Sequence, residues 1–152
     1  MSVQVGQQAP AFTLRDQHGQ QVTLSSFRGS KVVLVVFYPF VFSKTCTAEL
    51  CELRDAGLEQ SNDKVALLAI SCDPIHSLRT FADEASLSYP LLSDFWPHGA
   101  VARAYGVFNE AVGCAFRGTF LVRMDGSVGW KVDNGMPDAR SIDDYRAALA
   151  RV

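Results

Sequence analysis

The sequence predicts an α/β fold in which a mixed central sheet is flanked by helices. Two apolar runs, residues 32–37 and 65–72, have the length and β-branched content of strands that are covered on both faces. A stretch with helical character follows each run, as expected for parallel strands joined by crossover helices. Near the C-terminus, Asp125-Gly126 separates two more strand-like runs and predicts an antiparallel hairpin. Parallel and antiparallel pairs should therefore meet in one sheet.

The remaining elements follow from local signals along the chain. A turn-like segment at 16–19 lies between two short strand-like runs, 12–14 and 21–24, and predicts an N-terminal hairpin. Residues 43–61 have leucines at helical spacing and no proline, with Ser43 or Thr45 as the N-cap. Pro74 is a favourable first residue for a second helix, which should run to about residue 85. Further elements are expected at 90–94 (a short strand), 99–105 (a short helix), 118–123 and 128–132 (the hairpin), and 141–151 (a helix capped by Ser141).

Length and composition indicate a single domain, residues 1–152, that has no affinity for polyanions. The chain carries 14 basic and 16 acidic residues, so its net charge of −2 provides no field for nucleic acid or an anionic membrane. The longest apolar run is interrupted by Pro39 and is shorter than the roughly 20 residues of a membrane helix. Residues 1–6 lack the basic and apolar regions of a secretory signal. We therefore expect a cytoplasmic protein whose cysteines are reduced.

The four cysteines are too few for a disulfide scaffold, so each is either a small buried side chain or a reactive group. Cys46 stands where the strand ending at Phe37 gives way to a helix. At such a position, backbone N–H groups and the positive end of the helix dipole stabilise a thiolate, the nucleophilic form of cysteine. Ser43, three residues earlier, can place a hydroxyl beside the sulfur. Cys46 is therefore the candidate nucleophile.

Pro39, Ser43 and Cys46 match a Pro-x-x-x-Thr/Ser-x-x-Cys signature, and on these residues the chain resembles the peroxiredoxins. This family consists of thiol peroxidases with a thioredoxin-like fold, and the resemblance extends over nearly the whole sequence. Further similar segments are APAFTL at 9–14, PLLSD at 90–94, AYGVF at 104–108 and RGTFLV at 117–122. The segment FWPHG at 95–99 is similar to the E-type alkyl hydroperoxide reductases.

The resemblance implies thiol-dependent reduction of hydrogen peroxide and organic hydroperoxides, with no cofactor. Cys46 would be the peroxidatic cysteine that becomes a sulfenic acid, while Ser43 and the Cys46 N–H orient the peroxide. Arg117 corresponds to the family's active-site arginine, whose permanent charge favours the thiolate and binds peroxide. Pro39 would shield the sulfur from water. Glu49, three residues after Cys46, shares its helix face and could orient Arg117, the alternative being a surface acid.

Cys51 is the candidate resolving cysteine, because its spacing from Cys46 is similar to that in Q-type (bacterioferritin-comigratory) peroxiredoxins. These relatives form an intramolecular disulfide. In an ideal helix, Cα atoms five residues apart are separated by roughly 8.7 Å. A disulfide needs about 4.4–6.8 Å, so the first helical turns must unwind for the bond to form. Reduction by an external thiol, usual in the E-type group, and a Cys51 without redox role are the alternatives.

The other cysteines and the histidines provide weaker candidates. Cys72 ends a predicted buried strand and is expected to lie in the core. Cys114 precedes Arg117 by three residues, which makes it an alternative resolving thiol. Neither a Cys-x-x-Cys nor a His-x-x-x-His spacing occurs, so we predict no metal site.

Two other functions are compatible with the same fold. One is a thiol–disulfide oxidoreductase, which normally has Cys-x-x-Cys at the helix start, and the other is a binding module without chemistry. The partners expected for a peroxidase are a hydroperoxide and a thiol reductant, which could be thioredoxin, a glutaredoxin-like protein or a small thiol. The E-type resemblance suggests a homodimer packed through loops near the site, whereas Q-type relatives are often monomers. We expect no nucleic-acid or membrane partner.

Overall fold

The two apolar runs lie side by side at the centre of a mixed sheet. The computed structural model describes residues 2–134 and 139–152. Its strands are β1 (Thr13–Arg15), β2 (Gln21–Thr23), β3 (Val32–Phe37), β4 (Val65–Ser71), β5 (Leu91–Ser93), β6 (Phe108–Asn109), β7 (Cys114–Ala115), β8 (Arg117–Val122) and β9 (Val128–Asn134). A seven-stranded sheet has the order β2-β1-β5-β4-β3-β8-β9, and β6 pairs with β7 separately. The predicted α/β class with a mixed sheet is confirmed.

Parallel and antiparallel pairing meet at β3. On one side β3 pairs in parallel with β4, and on the other it pairs antiparallel with β8, where Val36 lies opposite Thr119. The predicted N-terminal hairpin is formed by β1 and β2 and joins the sheet through β5. The predicted C-terminal hairpin is formed by β8 and β9. Every residue of β3 and β4 is buried, which explains why both strands are almost wholly apolar.

The helices differ from the prediction at one point. They are α1 (Lys44–Ala56), α2 (Leu58–Ser61), α3 (Ile75–Ala85), α4 (Ala100–Ala104) and α5 (Ile142–Leu149). The single helix expected over 43–61 is wrong, because Gly57 adopts a left-handed conformation (φ 60°) that ends α1. Glycine adopts this conformation without the steric penalty of a Cβ atom. Ser141 caps α5 as predicted, and its hydroxyl accepts a hydrogen bond from the Asp144 N–H at 3.4 Å.

Apolar clusters pack on opposite faces of the sheet because side chains alternate along each strand. From β3, Leu34 and Val36 join the cluster that contains α1 and Cys46, whereas Val35 and Phe37 join the other. In the two described ranges, no helix is both long and apolar enough to cross a membrane.

Two short elements had no signal in the sequence. Leu24, expected in the second strand, instead begins a 3₁₀ turn that covers Leu24–Phe27. The β6–β7 hairpin has strands of only two residues, which are too short to show a periodic pattern. This hairpin buries Cys114 shortly before β8 begins.

Candidate active site

Cys46 is the third residue of α1 and is completely buried. The chain leaves β3 at Phe37, passes through a turn and enters α1, so the helix begins at the carboxyl end of a central strand. Ser43 is the N-cap, and its side-chain oxygen accepts a hydrogen bond from the Cys46 N–H at 3.3 Å. Of the two predicted caps, Ser43 is confirmed. Because its oxygen acts as the acceptor, the hydroxyl proton can be donated to sulfur or to a bound oxygen.

The Ser43 cap also bears on the Cys46 N–H, which we expected to orient the peroxide. In this structure the N–H already donates to Ser43. A peroxide oxygen that uses this N–H must therefore share it with the serine oxygen or displace that oxygen. The hydroxyl and the amide consequently act as a coupled pair.

Glu49 lies one turn further along α1 and is 5% exposed, which rules out the alternative of a surface acid. Its Oε1 accepts hydrogen bonds from Arg117 Nη1 at 2.5 Å and from Arg140 Nη2 at 3.0 Å. Its Oε2 accepts from Arg140 Nε at 3.0 Å and from the Arg140 backbone N–H at 2.7 Å. Arg117 is the first residue of β8 and is also buried. The contact predicted between Glu49 and Arg117 is present.

Arg140 is a buried component of this cluster that sequence reasoning missed. Besides binding Glu49, its Nη1 donates to the carbonyl oxygens of Phe37 at 2.6 Å and Gly118 at 3.0 Å, and to Thr119 Oγ1 at 3.1 Å. Arg140 therefore ties the end of β3, the start of β8 and the first half of α1 together. No local pattern could have revealed it, since Arg140 follows Glu49 by 91 residues.

The two guanidinium groups keep Glu49 ionised. Burial alone raises the pKa of Glu49, but hydrogen bonds and charge from Arg140, with the charge of Arg117, outweigh it and hold the pKa below its ordinary value. A single carboxylate faces two permanent cations, so the cluster carries excess positive charge. The carboxylate that binds both guanidinium groups lies one helical turn from Cys46.

Pro39 is buried in the turn between β3 and α1. Phe40 and Phe42 follow it and are 38% and 53% exposed. Phe42 has a φ of 70°, and its ring packs edge-on against Phe81 with the centroids 5.2 Å apart. The turn thus places a proline ring in the interior while presenting two aromatic side chains at the surface.

The four cysteines are free thiols in different environments. Cys51 is partly exposed and lies in the same intact helix as Cys46, so the two cannot be bonded in this conformation. Cys72 is buried just after β4, as predicted for a core residue. Burial raises the pKa of Cys72 to about 12 and that of Cys114 to about 11, with nearby acidic groups contributing to both. In residues 2–134 and 139–152 no group of three or more histidine, cysteine or acidic residues is placed to hold a metal ion.

Known proteins are similar to this chain over nearly its full length. Residues 5–131 match the AhpC/TSA family. Alkyl hydroperoxide reductase E from Mycobacterium tuberculosis is 49% identical over 148 residues, which are 95% of this chain and 97% of that protein. Peroxiredoxin Bcp from Escherichia coli is 37% identical over 132 residues, 83% of each chain.

Solved structures give the same result. Peroxidoxin BcpB from Mycobacterium tuberculosis aligns with a TM-score of 0.85 at 30% identity and covers 97% of each chain. AhpC from Enterococcus faecalis aligns with a TM-score of 0.87 at 27% identity, over 99% of this chain and 93% of that one. These neighbours have the predicted thioredoxin-like fold, and the relatives favour neither a thiol–disulfide oxidoreductase nor a binding module. The chain therefore belongs to the AhpC/TSA family of peroxiredoxins and is a thiol-dependent hydroperoxide reductase.

Proposed function

We propose that Cys46 is the peroxidatic cysteine of this chain. The observation that carries the proposal is the convergence of three features on the first turns of α1. Cys46 is buried there, and its N–H donates a hydrogen bond to the Ser43 hydroxyl oxygen. One turn further along, Glu49 binds two arginines. Because the sulfur is buried, only small substrates can reach it. The excess positive charge stabilises anions that develop during the reaction.

The reaction is a two-electron oxidation of sulfur. The Cys46 thiolate attacks the terminal oxygen of a hydroperoxide, so that an S–O bond forms while the O–O bond breaks. The terminal oxygen becomes that of the sulfenic acid, and the leaving oxygen takes up a proton to give an alcohol, or water from hydrogen peroxide. The Ser43 hydroxyl donates a hydrogen bond to the peroxide, and Arg117 stabilises the charge on the peroxide oxygens. Pro39 limits access of water, and Glu49 acts as the positioning residue for Arg117.

Cys51 then resolves the sulfenic acid. Its thiol attacks the Cys46 sulfur, a disulfide forms and water leaves. For this step the helix between the two cysteines must unwind, which breaks the contacts of Glu49 and the hydrogen bond from the Tyr89 hydroxyl to the Leu50 carbonyl (2.7 Å). These anchors slow resolution, and reduction by an external thiol is the competing route. Cys114 is less suited, because burial and a pKa of about 11 keep its thiol protonated.

The partners follow from the same chemistry. A dithiol protein such as thioredoxin suits reduction of a Cys46–Cys51 disulfide, whereas a glutaredoxin-like protein or a small thiol suits an unresolved sulfenic acid. Phe95 and Trp96 are 48% and 82% exposed, and this aromatic surface supports a homodimer. The four free thiols fit the reducing cytoplasm as the place of reaction.

Peroxide consumption with dithiothreitol tests the assignment of Cys46. We expect Cys46→Ser to abolish turnover, and Cys72→Ser, a matched change at another buried cysteine, to retain it. Circular dichroism of both variants controls for folding. Peroxide loss that survives Cys46→Ser would rule out the mechanism.

Mass mapping of the thiols after one equivalent of peroxide tests the assignment of Cys51. The expected product is a Cys46–Cys51 disulfide with Cys72 and Cys114 unmodified. A sulfenic or sulfinic acid that persists on Cys46 beside a free Cys51 thiol would exclude Cys51 and favour an external reductant.

A further inference from the structure

The turn that presents Ser43 and Cys46 has no regular secondary structure to hold its shape. It joins β3 to α1, and within it Phe42 adopts a left-handed backbone conformation with a φ of 70°. Residues other than glycine are disfavoured in this conformation and persist there only where the surroundings impose it. Contacts from outside the turn must therefore hold it in place.

Asp73 provides such a contact through its carboxylate. The Val41 backbone N–H, at the centre of the turn, donates a hydrogen bond to Asp73 Oδ2 at 3.0 Å. The Ser71 hydroxyl donates to the same oxygen at 2.7 Å. A charged acceptor makes both hydrogen bonds stronger than neutral ones.

Asp73 is itself fixed to the sheet. Its backbone N–H donates to Ser71 Oγ at 3.3 Å, and its carbonyl oxygen accepts from the Ser93 hydroxyl at 2.6 Å. Ser71 and Ser93 are paired residues of the parallel strands β4 and β5. Two strands thus hold Asp73, and Asp73 holds the turn.

We propose that Asp73 is a positioning residue for peroxide reduction, which acts by fixing the turn that carries Pro39 and Ser43. The proposal rests on the assignment of Cys46 as the peroxidatic cysteine. Attack on a peroxide requires the Ser43 hydroxyl and the Pro39 ring in place beside the sulfur. Reduction of the sulfenic acid by a small thiol requires only access to the sulfur. Loss of the anchor should therefore slow the first step and spare the second.

Two substitutions separate the hydrogen bond from general structural damage. Asp73→Ala removes the acceptor, so that the Val41 N–H and the Ser71 hydroxyl lose their partner. Asp73→Asn retains an amide oxygen that can accept from both donors. The asparagine variant is therefore the conservative rescue of the alanine variant.

The two half-reactions should be measured separately in the full chain. With hydrogen peroxide, we expect oxidation of Cys46 in Asp73→Ala to slow by about 10- to 100-fold, as a displacement of catalytic groups by about 1 Å can cause. In Asp73→Asn the rate should stay within about threefold of wild type, because the acceptor is retained. Reduction of the sulfenic acid by dithiothreitol, measured with Cys51→Ser added to every variant so that no internal disulfide can form, should be unchanged in both. Hydrogen exchange of the Val41 amide should accelerate in Asp73→Ala and stay slow in Asp73→Asn.

The outcomes that overturn the proposal are distinct from those that overturn the assignment of Cys46. If peroxide oxidised Cys46 at the same rate in the wild-type protein and in Asp73→Ala, the role of Asp73 would be overturned while the assignment of Cys46 would stand. A Val41 amide that stays protected in Asp73→Ala would also overturn the role of Asp73, as would an equal loss in both half-reactions. Wild-type protein whose Cys46 is not oxidised by peroxide would instead overturn the assignment of Cys46, and the proposal with it.

Discussion

Buried cysteines occupy two regions of this molecule that differ in the charge around the sulfur. Cys46 at the start of α1 is 0% exposed, and Cys72 and Cys114, near the end of β4 and in β7, are 5% and 0% exposed. Near Cys46 the helix begins and two arginines outnumber one carboxylate. Near Cys72 the charged groups are carboxylates, those of Asp94 and Asp73.

Burial is common to all three cysteines, so the reactivity proposed for Cys46 must depend on the charge around the sulfur. Burial raises the pKa of Cys72 to about 12, and the negative charge of Asp94 adds to the effect. For Cys114, burial raises the pKa to about 11, interactions with Cys46 and Asp73 add to the effect, and the charge of Arg117 opposes it. The surroundings at the start of α1 are instead a helix N-terminus and two arginines that share one carboxylate.

Thiol labelling should give the largest difference between the two regions. At about pH 8, only about one in 10³ of the Cys114 thiols and one in 10⁴ of the Cys72 thiols are ionised. We expect iodoacetamide to label Cys46 in the folded protein long before either of them. Labelling of Cys114 should rise about tenfold per pH unit, because its thiolate fraction grows until the pH reaches the pKa.

Labelling in urea is the control, since all four thiols should then react at similar rates. Peptide mapping by mass spectrometry measures each site. If Cys114 in the folded protein were labelled as fast as Cys46 at neutral pH, the contrast between the two regions would be lost.

Removing Arg140 should cost the most stability. Arg140→Ala removes the two hydrogen bonds that the Arg140 side chain donates to the buried Glu49 carboxylate, and it leaves the carbonyl groups of Phe37 and Gly118 without this partner. Loss of one member of a buried ion pair costs about 3–5 kcal/mol, which urea unfolding can measure. Arg146→Ala, at an exposed pair with Asp143, should leave the urea midpoint unchanged. Equal midpoints for the two variants would show that the cluster at the start of α1 is not a structural anchor.

The start of α1 also shows how much of the site local sequence could predict. Cys46, Ser43 and Glu49 lie within seven residues, so helix spacing and cap chemistry place them correctly. The buried strands could be predicted equally well, because a wholly apolar, β-branched run is compatible with few other structures. Local patterns therefore predicted the fold class and the start of the helix that carries the proposed nucleophile.

What could not be predicted depends on contacts between distant segments. Arg140 reaches Glu49 across 91 residues, and Asp73 reaches Val41 across 32. Periodicity also left Glu49 undecided between a buried and a surface position, because only tertiary packing determines which side chains cover a helix face. The end of α1 at Gly57 was missed for a related reason, since an isolated glycine inside a helical pattern is often tolerated.

Arg117 should matter more for catalysis than for the fold. Arg117→Met keeps much of the side-chain length, removes the charge, and leaves Glu49 bound by Arg140. We expect kcat/KM for hydrogen peroxide to fall about 100-fold, as when one group that stabilises developing charge is lost. Arg103→Met is the control, because Arg103 is exposed and pairs with Glu110. A normal rate in Arg117→Met would mean that the charge near Cys46 does not act on the peroxide.

The smallest expected effect comes from removing an N-cap serine, which tests whether Ser43 acts only as a helix cap or also as a catalytic group. Ser43 caps α1 and Ser141 caps α5, each through its side-chain oxygen. Either serine-to-alanine change should lower the free energy of unfolding by about 1 kcal/mol, the usual cost of a lost N-cap. Only Ser43→Ala should also slow oxidation of Cys46, because only that hydroxyl lies beside the Cys46 N–H.

The free energy of unfolding and the rate of Cys46 oxidation should be measured in both variants, so that Ser141→Ala is the control for Ser43→Ala. If Ser141→Ala slowed the peroxide step as much as Ser43→Ala, the loss would come from stability, and the start of α1 would have no special status. If Ser43→Ala lost stability but kept its rate, Ser43 would act only as a cap, and peroxide activation would depend on Arg117 and the helix N-terminus. A rate loss confined to Ser43→Ala requires that the hydroxyl which caps the start of α1 also takes part in the reaction, because both variants lose the same kind of N-cap hydrogen bond.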